Sequence, residues 1–322
     1  MRPGPVLLAL RALGIGDLAT VVPALRALRR AFPRHELVLA TPAMLTPLVA
    51  ATGAVDRVFA TRSYVREPID DLRWSGRRPD IAVNLHGAGP QSLRALLATE
   101  PKRYLGYGRP ADWPDGPEWV DEEHEVDHWC RLLRHYRIPA DRSDLALAPP
   151  GPVPRWVGAV VIHPGASGPE RRWPVSRFAA VARRLAAEGH RVLVSGSPAE
   201  AADAHALAAK AGLSPRAVLA GRTDVGSLAA LIAHAGLVIC GDTGVAHLAT
   251  AYGTRSVLLF GPMAPRRWGP PPSSRHTVLW RGPHGLLQIT VGDVYAAACA
   301  QLAARSGAVL TSAGSRHAAA TR

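Results

Sequence analysis

The run Cys240-Gly241-Asp242-Thr243-Gly244-Val245-Ala246-His247 follows an apolar stretch, Gly236-Leu237-Val238-Ile239, and leads into a helical pattern. A strand that ends in Gly-Asp-Thr-Gly and turns into a helix presents unpaired backbone N–H groups at the positive end of a helix dipole. That arrangement suits an anion, and a phosphate is the expected one. Asp242, Thr243 and His247 add polar side chains beside it. A lone His at such a place serves helix packing equally well.

Four other loops share this position after an apolar run. Arg11-Ala12-Leu13-Gly14-Ile15-Gly16-Asp17 has glycines that let backbone approach a ligand. It is not a complete dinucleotide fingerprint, because Ala19 stands where the third glycine belongs and Ala40-Thr41-Pro42 offers no acidic partner for a ribose. Asp17 reads either as a working carboxylate or as an ordinary first-turn residue of the next helix. His163-Pro164-Gly165-Ala166-Ser167 leads to Arg171-Arg172-Trp173-Pro174, whose two arginines could hold phosphate oxygens or lie in solvent. Ser195-Gly196-Ser197-Pro198-Ala199-Glu200 ends on a carboxylate able to accept from sugar hydroxyls or to start a helix. Asn84-Leu85-His86-Gly87-Ala88-Gly89-Pro90-Gln91-Ser92 closes the set.

These loops must be carried by alternating strands and helices. Strands are predicted at 6–10, 37–40 and 81–85, with a helix over 18–32 whose apolar residues Leu18, Val21, Val22, Leu25 and Leu28 recur at helical spacing. The segment 110–127 is rich in Pro, Asp, Glu and Trp and reads as irregular, before a helix over 124–136. Pro149-Pro150-Gly151-Pro152-Val153-Pro154 is a stiff, extended stretch, and the domain boundary is placed there. The second half restarts the alternation: strands at 160–163, 191–195, 218–220, 237–240 and 256–260, helices at 176–188, 200–211, 225–235, 246–252 and 289–304. The pattern predicts an α/β protein with two Rossmann-like domains, 1–150 and 151–305, facing across a cleft. Packing of the last helix back on the first domain stays open, and 306–322 reads as a disordered tail.

With 48% hydrophobic and 20% charged residues, the 322-residue chain is globular. Its formal charge of +13 comes almost wholly from Arg, since only Lys102 and Lys210 are Lys. No aromatic RNA-binding pattern, zinc-finger spacing or dense basic tract accompanies that charge, so nucleic acid is not an expected partner. Cys130, Cys240 and Cys299 are far apart, without a CxxC, and imply neither a disulfide framework nor a metal site. The apolar start stops at Arg11 and no run is long enough to span a membrane, which favours a cytoplasmic enzyme, with peripheral association at the inner face of the membrane left open.

Taken together, Arg11…Gly16-Asp17…Pro23-Ala24-Leu25, His163-Pro164-Gly165-Ala166-Ser167…Arg171-Arg172-Trp173-Pro174, Gly221-Arg222-Thr223, Asp242-Thr243-Gly244…His247-Leu248-Ala249 and Phe260-Gly261-Pro262 resemble glycosyltransferase family 9, the bacterial heptosyltransferase-like enzymes. The resemblance implies a GT-B fold and an inverting, metal-independent transferase without a cofactor. Such an enzyme moves a sugar, a heptose at family level, from a nucleotide-diphospho-sugar to a hydroxyl of a glycan, lipid-linked or small-molecule acceptor of the cell envelope. It implies Asp17 as catalytic base and Arg171 at a catalytic position on the donor diphosphate, where Lys is frequent. Ser167, Glu200, Asp242, Thr243, Gly244 and His247 match donor-side positions, with Gly14 and Gly16 counted among them. Arg11, His86 and Gln91 fall on the acceptor side. An NAD(P)-dependent oxidoreductase using Gly14 and Gly16, or a non-catalytic sugar-nucleotide-binding protein, are the alternatives.

Overall fold

A computed structural model describes residues 4–61, 69–108 and 113–318, without side chains from 306 onward. The chain divides into two compact units, Met1–Pro149 and Pro150–Arg322.

The first unit runs β1 (Val6–Leu10), α1 (Ile15–Thr20), α2 (Val22–Ala31), β2 (Glu36–Pro42), α3 (Thr46–Ala51), β3 (Arg57–Thr61), β4 (Ile81–Asn84), α4 (Pro90–Leu97), β5 (Arg103–Leu105) and α5 (Glu125–His135). Its strands form one parallel sheet in the order β3-β2-β1-β4-β5. All five residues of β1 are buried. A strand buried on both faces belongs at the centre of a parallel sheet, which explains its uninterrupted Val-Leu-Leu-Ala-Leu. The single helix predicted over 18–32 is two helices that meet at Val21, because Pro23 has no N–H to continue the ladder and serves better in a new first turn. Strands β3 and β5 were not expected; β3 is only partly buried and β5 has three residues. Residues 113–124 are largely irregular, as expected, while 110–112 lie outside the described residues.

The second unit runs β6 (Val160–His163), α6 (Val175–Ala187), β7 (Val192–Val194), α7 (Ala201–Ala211), α8 (Val225–Ala233), β8 (Leu237–Gly241), α9 (Gly244–Ala251), β9 (Ser256–Leu259), α10 (Pro265–Trp268), β10 (His276–Leu279) and α11 (Val291–Ala318). The order is β10-β9-β8-β6-β7, again all parallel. The short strand expected at 218–220 survives as a single parallel bridge, Val218 to Val194, at the β7 edge. Val294 and Ala298 of α11 join the core of this unit beside Trp173, Phe178 and Leu185. The tail expected to be disordered from 306 is helical as far as Ala318, a continuation of α11; 319–322 lie outside the described residues.

Both sheets reverse strand order beside their first strand, between β1 and β4 and between β6 and β8. In open α/β sheets the crevice at the carboxyl ends of those two strands is where ligands bind. The loop carrying Asp17 follows β1, and that carrying His86 follows β4. The loop carrying Arg171 follows β6, and Asp242 follows β8.

Candidate functional site

In the first unit the organising group is Arg11, 1% exposed at the end of β1. Its Nε donates to the carbonyl of Asp17 at 3.1 Å and its Nη1 to the carbonyl of Leu85 at 2.8 Å. Nη2 reaches Asp17 Oδ1 at 3.1 Å and Glu125 Oε1 at 2.7 Å. The guanidinium also lies 4.6 Å from the ring centre of Trp129. One cation thus ties the β1 loop, the β4 loop and α5 together. Its guanidinium is committed to protein groups and shielded from water, so Arg11 anchors the loops that carry the expected acceptor-side residues.

Asp17 keeps 26% of its side chain exposed. Besides Arg11, it accepts through Oδ2 from the N–H of Gly14 at 3.1 Å, and the carbonyl of Gly14 accepts from Leu18 N–H. Asp17 therefore also plays the simpler structural part of a first-turn carboxylate that ties down the helix start. Gly14 and Gly16 frame it in the loop and first turn of α1. His86 stands across the switch point, its Nδ1 accepting from Ala12 N–H at 3.2 Å. Burial, then the nearby Arg11 charge, lower the imidazole to about 4 against the opposing pull of Asp17. Gln91 lies in the first turn of α4, exposed.

Sequence reasoning missed Glu125 and Trp129. They sit at i and i+4 on one face of α5, and the indole N–H of Trp129 donates to Glu125 Oε1 at 3.1 Å. Burial, the largest single influence, works to raise the Glu125 carboxyl, but the charge and hydrogen bond of Arg11 together with His128 outweigh it and hold the group at about 2. The signal for a partner was present: an arginine that closes a wholly apolar strand is buried and requires a carboxylate.

In the second unit Arg171 is the centre. Its Nη2 donates to Asp242 Oδ2 at 2.6 Å and to the Asp242 carbonyl at 2.7 Å, and its Nη1 to Ser167 Oγ at 3.0 Å. Asp242 is 6% exposed, so the pair is largely desolvated on the carboxylate side while Arg171 keeps 32% of its surface. Thr243 is the extended residue before α9, and its side chain makes no capping bond. Its Oγ1 is buried with no hydrogen-bond partner. Gly244 opens α9, and the ring of His247, one turn on, meets Trp268 of α10 edge-on at 5.7 Å. Trp268 is a third residue that sequence reasoning passed over. Burial pushes the Cys240 thiol up, so it stays a neutral packing group.

Glu200 accepts through Oε2 from Ser197 N–H at 2.7 Å and lies against Gly165. A Cβ at Gly165 would fall 1.9 Å from Glu200 Oε1, so glycine is required for the carboxylate to rest there. Arg172, the other half of the Arg pair, instead donates to the Ala166 carbonyl at 3.2 Å and ties down its own loop. Trp173 is core: buried, and bonded through its indole N–H to the Ile289 carbonyl at 3.0 Å.

Two parallel-sheet α/β units, each with polar loops at its switch point, define the GT-B class of fold. The structure of ADP-heptose lps heptosyltransferase II from Escherichia coli shares it, with a TM-score of 0.77 and 22% identity over 94% of this chain and 99% of that one. The family model for glycosyltransferase family 9 (heptosyltransferase) matches residues 123–286, and the chain belongs to that family. Lipopolysaccharide heptosyltransferase 1 of Pseudomonas aeruginosa is 36% identical over 219 residues, which are 68% of this chain and 55% of that protein. Lipopolysaccharide heptosyltransferase 2 of Escherichia coli K12 is 32% identical over 120 residues, 36% and 34% of the two chains. The matches thus span about half or less of these curated relatives. Family membership sets aside the oxidoreductase alternative. Among the described residues, no helix is long and apolar enough to cross a membrane.

Proposed function

We propose that the protein is an inverting heptosyltransferase that moves a heptose from ADP-heptose to a hydroxyl of a cell-envelope glycan. The observation that carries the donor half is Arg171, held by Ser167 and Asp242 at the N-terminus of α9 beside the unpartnered hydroxyl of Thr243. A diphosphate accepts from every group there: the guanidinium, the hydroxyl and the first-turn N–H groups of α9. The names of the relatives support ADP-heptose as the donor and lipopolysaccharide as the acceptor class. An acceptor at the inner face of the membrane, met from the cytoplasm, belongs to the same reading.

Transfer is a single displacement. The acceptor oxygen forms its bond to the anomeric carbon as the bond from that carbon to the diphosphate breaks, and the electron pair leaves with ADP. Asp17 takes the proton of the attacking hydroxyl. Arg171 and the helix N-terminus stabilise the charge that grows on the leaving diphosphate, a part a divalent metal plays elsewhere. The reading therefore includes no metal and no cofactor. Glu200 receives the ribose hydroxyls on the oxygen it does not spend on Ser197.

ADP and ADP-heptose are expected to raise the melting temperature of the full chain, and NAD(P) to leave it unchanged. Arg171→Ala should weaken ADP binding by about 10- to 100-fold, the loss typical of a charge-assisted hydrogen bond, with Arg171→Lys intermediate. Calorimetric titration measures this, and unchanged ADP affinity in the alanine variant removes the diphosphate from Arg171. Gly165→Ala should displace the Glu200 carboxylate at little cost in stability, because only the end of a flexible side chain must move. It should then weaken ADP binding to about the same extent as Glu200→Gln, roughly three- to tenfold for one neutral hydrogen bond. Unequal losses in that titration disconnect Gly165 from the ribose contact.

A further inference from the structure

The loop after β4 is fixed from several sides. Asn84, 1% exposed, donates to Ser92 Oγ at 3.0 Å and to the Tyr104 hydroxyl at 3.1 Å, and accepts from His86 N–H at 3.0 Å. Leu85 accepts from Arg11, and His86 Nδ1 accepts from Ala12 N–H at 3.2 Å. A backbone amide only donates, so Nδ1 presents a lone pair and carries no proton. A neutral imidazole has one N–H, and here it must be at Nε2. The charged groups that face the ring are Arg11 and Asp17. Burial and Arg11 together outweigh Asp17, and the ring stays uncharged well below neutrality. No described residue accepts a hydrogen bond from Nε2. With Nδ1 occupied and Nε2 already protonated, His86 has no vacant lone pair and is not a second base beside Asp17.

We propose that His86 is an acceptor-binding residue that presents Nε2–H, as a neutral hydrogen-bond donor, to an oxygen of the carbohydrate acceptor whose hydroxyl Asp17 deprotonates. The assignment rests on the reading of Asp17 as the base. The partner group it selects is a lone-pair oxygen, hydroxyl or carboxylate, one loop away from the attacking hydroxyl. The buried Asn84 network supplies the rigidity this needs, because a donor that must select a partner has to be held in place before the partner arrives.

Long-range proton–nitrogen NMR on the full chain with labelled histidine, assigned with His86→Gln, tests the protonation directly. The expected result between pH 6 and 8 is a bare Nδ1 and a protonated Nε2. A proton on Nδ1 overturns the proposal. The functional arm uses ADP-heptose as donor and heptose-deficient lipopolysaccharide as acceptor. The side-chain oxygen of His86→Asn can still accept from Ala12 but does not reach the Nε2 position; the amide nitrogen of His86→Gln does reach it. His86→Asn should lower kcat/KM for the acceptor by about tenfold or more with the donor KM unchanged, and His86→Gln should stay within about threefold of the parent. Equal effects of the two variants, or an unaffected His86→Asn, overturn the donor role. Asp17→Asn separates the two readings: if that variant transfers heptose at the parental rate, the base assignment falls. If it is inactive while His86→Asn is unaffected, only the His86 assignment falls. A parent that transfers nothing to this acceptor overturns the function and the acceptor role of His86 with it, and the NMR result still reports the tautomer.

Discussion

Asp17→Asn is expected to lower sugar transfer by about 10²–10⁴-fold, the range associated with removal of a general base, while ADP binding stays within about twofold of the parent. The two effects separate because Arg171, Asp242 and the N-terminus of α9, the proposed diphosphate site, lie in the second unit and Asp17 in the first. The substitution is not silent locally. The carboxylate accepts on both oxygens, from Arg11 through Oδ1 and from Gly14 N–H through Oδ2. An amide has one oxygen to offer, so one of those two donors faces an NH₂ group instead. About 1–3 kcal/mol of stability is expected to go with that lost partner. The melting temperature therefore has to be measured alongside turnover. A drop in kcat with intact folding and intact ADP affinity supports the base. Turnover at the parental level removes Asp17 from that role and leaves it the structural part it already plays at the start of α1.

Both central strands were legible because five or four consecutive apolar residues with no polar face read as buried, parallel strands. The edge strands were not. Arg57–Thr61 carries exposed Arg57 and Ala60, and its pairing with β2 is decided by neighbours distant in sequence. The helix over 18–32 was over-read because its apolar periodicity runs straight through Val21, and periodicity says nothing about the hydrogen bond that Pro23 removes. In the loops, position after a strand was informative: Asp17, His86, Arg171 and Asp242 all follow the strands that flank a switch point. What each side chain does there was not legible. Arg11 was placed on the acceptor side by its position after β1, and only burial and its carbonyl and carboxylate partners reveal it as an anchor. Glu125 stands more than a hundred positions from Arg11 in sequence. No local pattern joins them; only the desolvation cost of a buried cation demands that some carboxylate do so.

That cost makes Arg11→Ala the largest expected effect on stability. The change leaves Glu125 buried with the Trp129 N–H as its remaining close donor and the Leu85 carbonyl without its partner. Breaking a buried pair on one side typically costs about 3–5 kcal/mol, and that loss is expected at pH 7 in urea unfolding of the full chain. The pH dependence distinguishes this cause from simple loss of packing. In the parent, Glu125 is held at about 2, below its ordinary 4.5. A depressed carboxyl contributes stability that is present in full above the unfolded value and lost as pH falls through the folded one. Here the contribution is about 3 kcal/mol at 1.36 kcal/mol per pH unit, lost between about pH 4.5 and pH 2. Without Arg11 its charge and hydrogen bond are lost, and burial, the largest influence, is opposed only by His128, so the carboxyl is expected to rise. A raised carboxyl stabilises the fold in its protonated form, so as pH is lowered from 7 toward 5 the variant should gain stability relative to the parent, in which His86, held at about 4, already costs stability over that range. The double change Arg11→Met with Glu125→Met should recover more than half of the loss at pH 7, since no charge is then left unpaired. A variant that loses stability in parallel with the parent across the acid range, or a double change no better than Arg11→Ala, would show that Arg11 matters for its shape and contacts and not for the charge it neutralises.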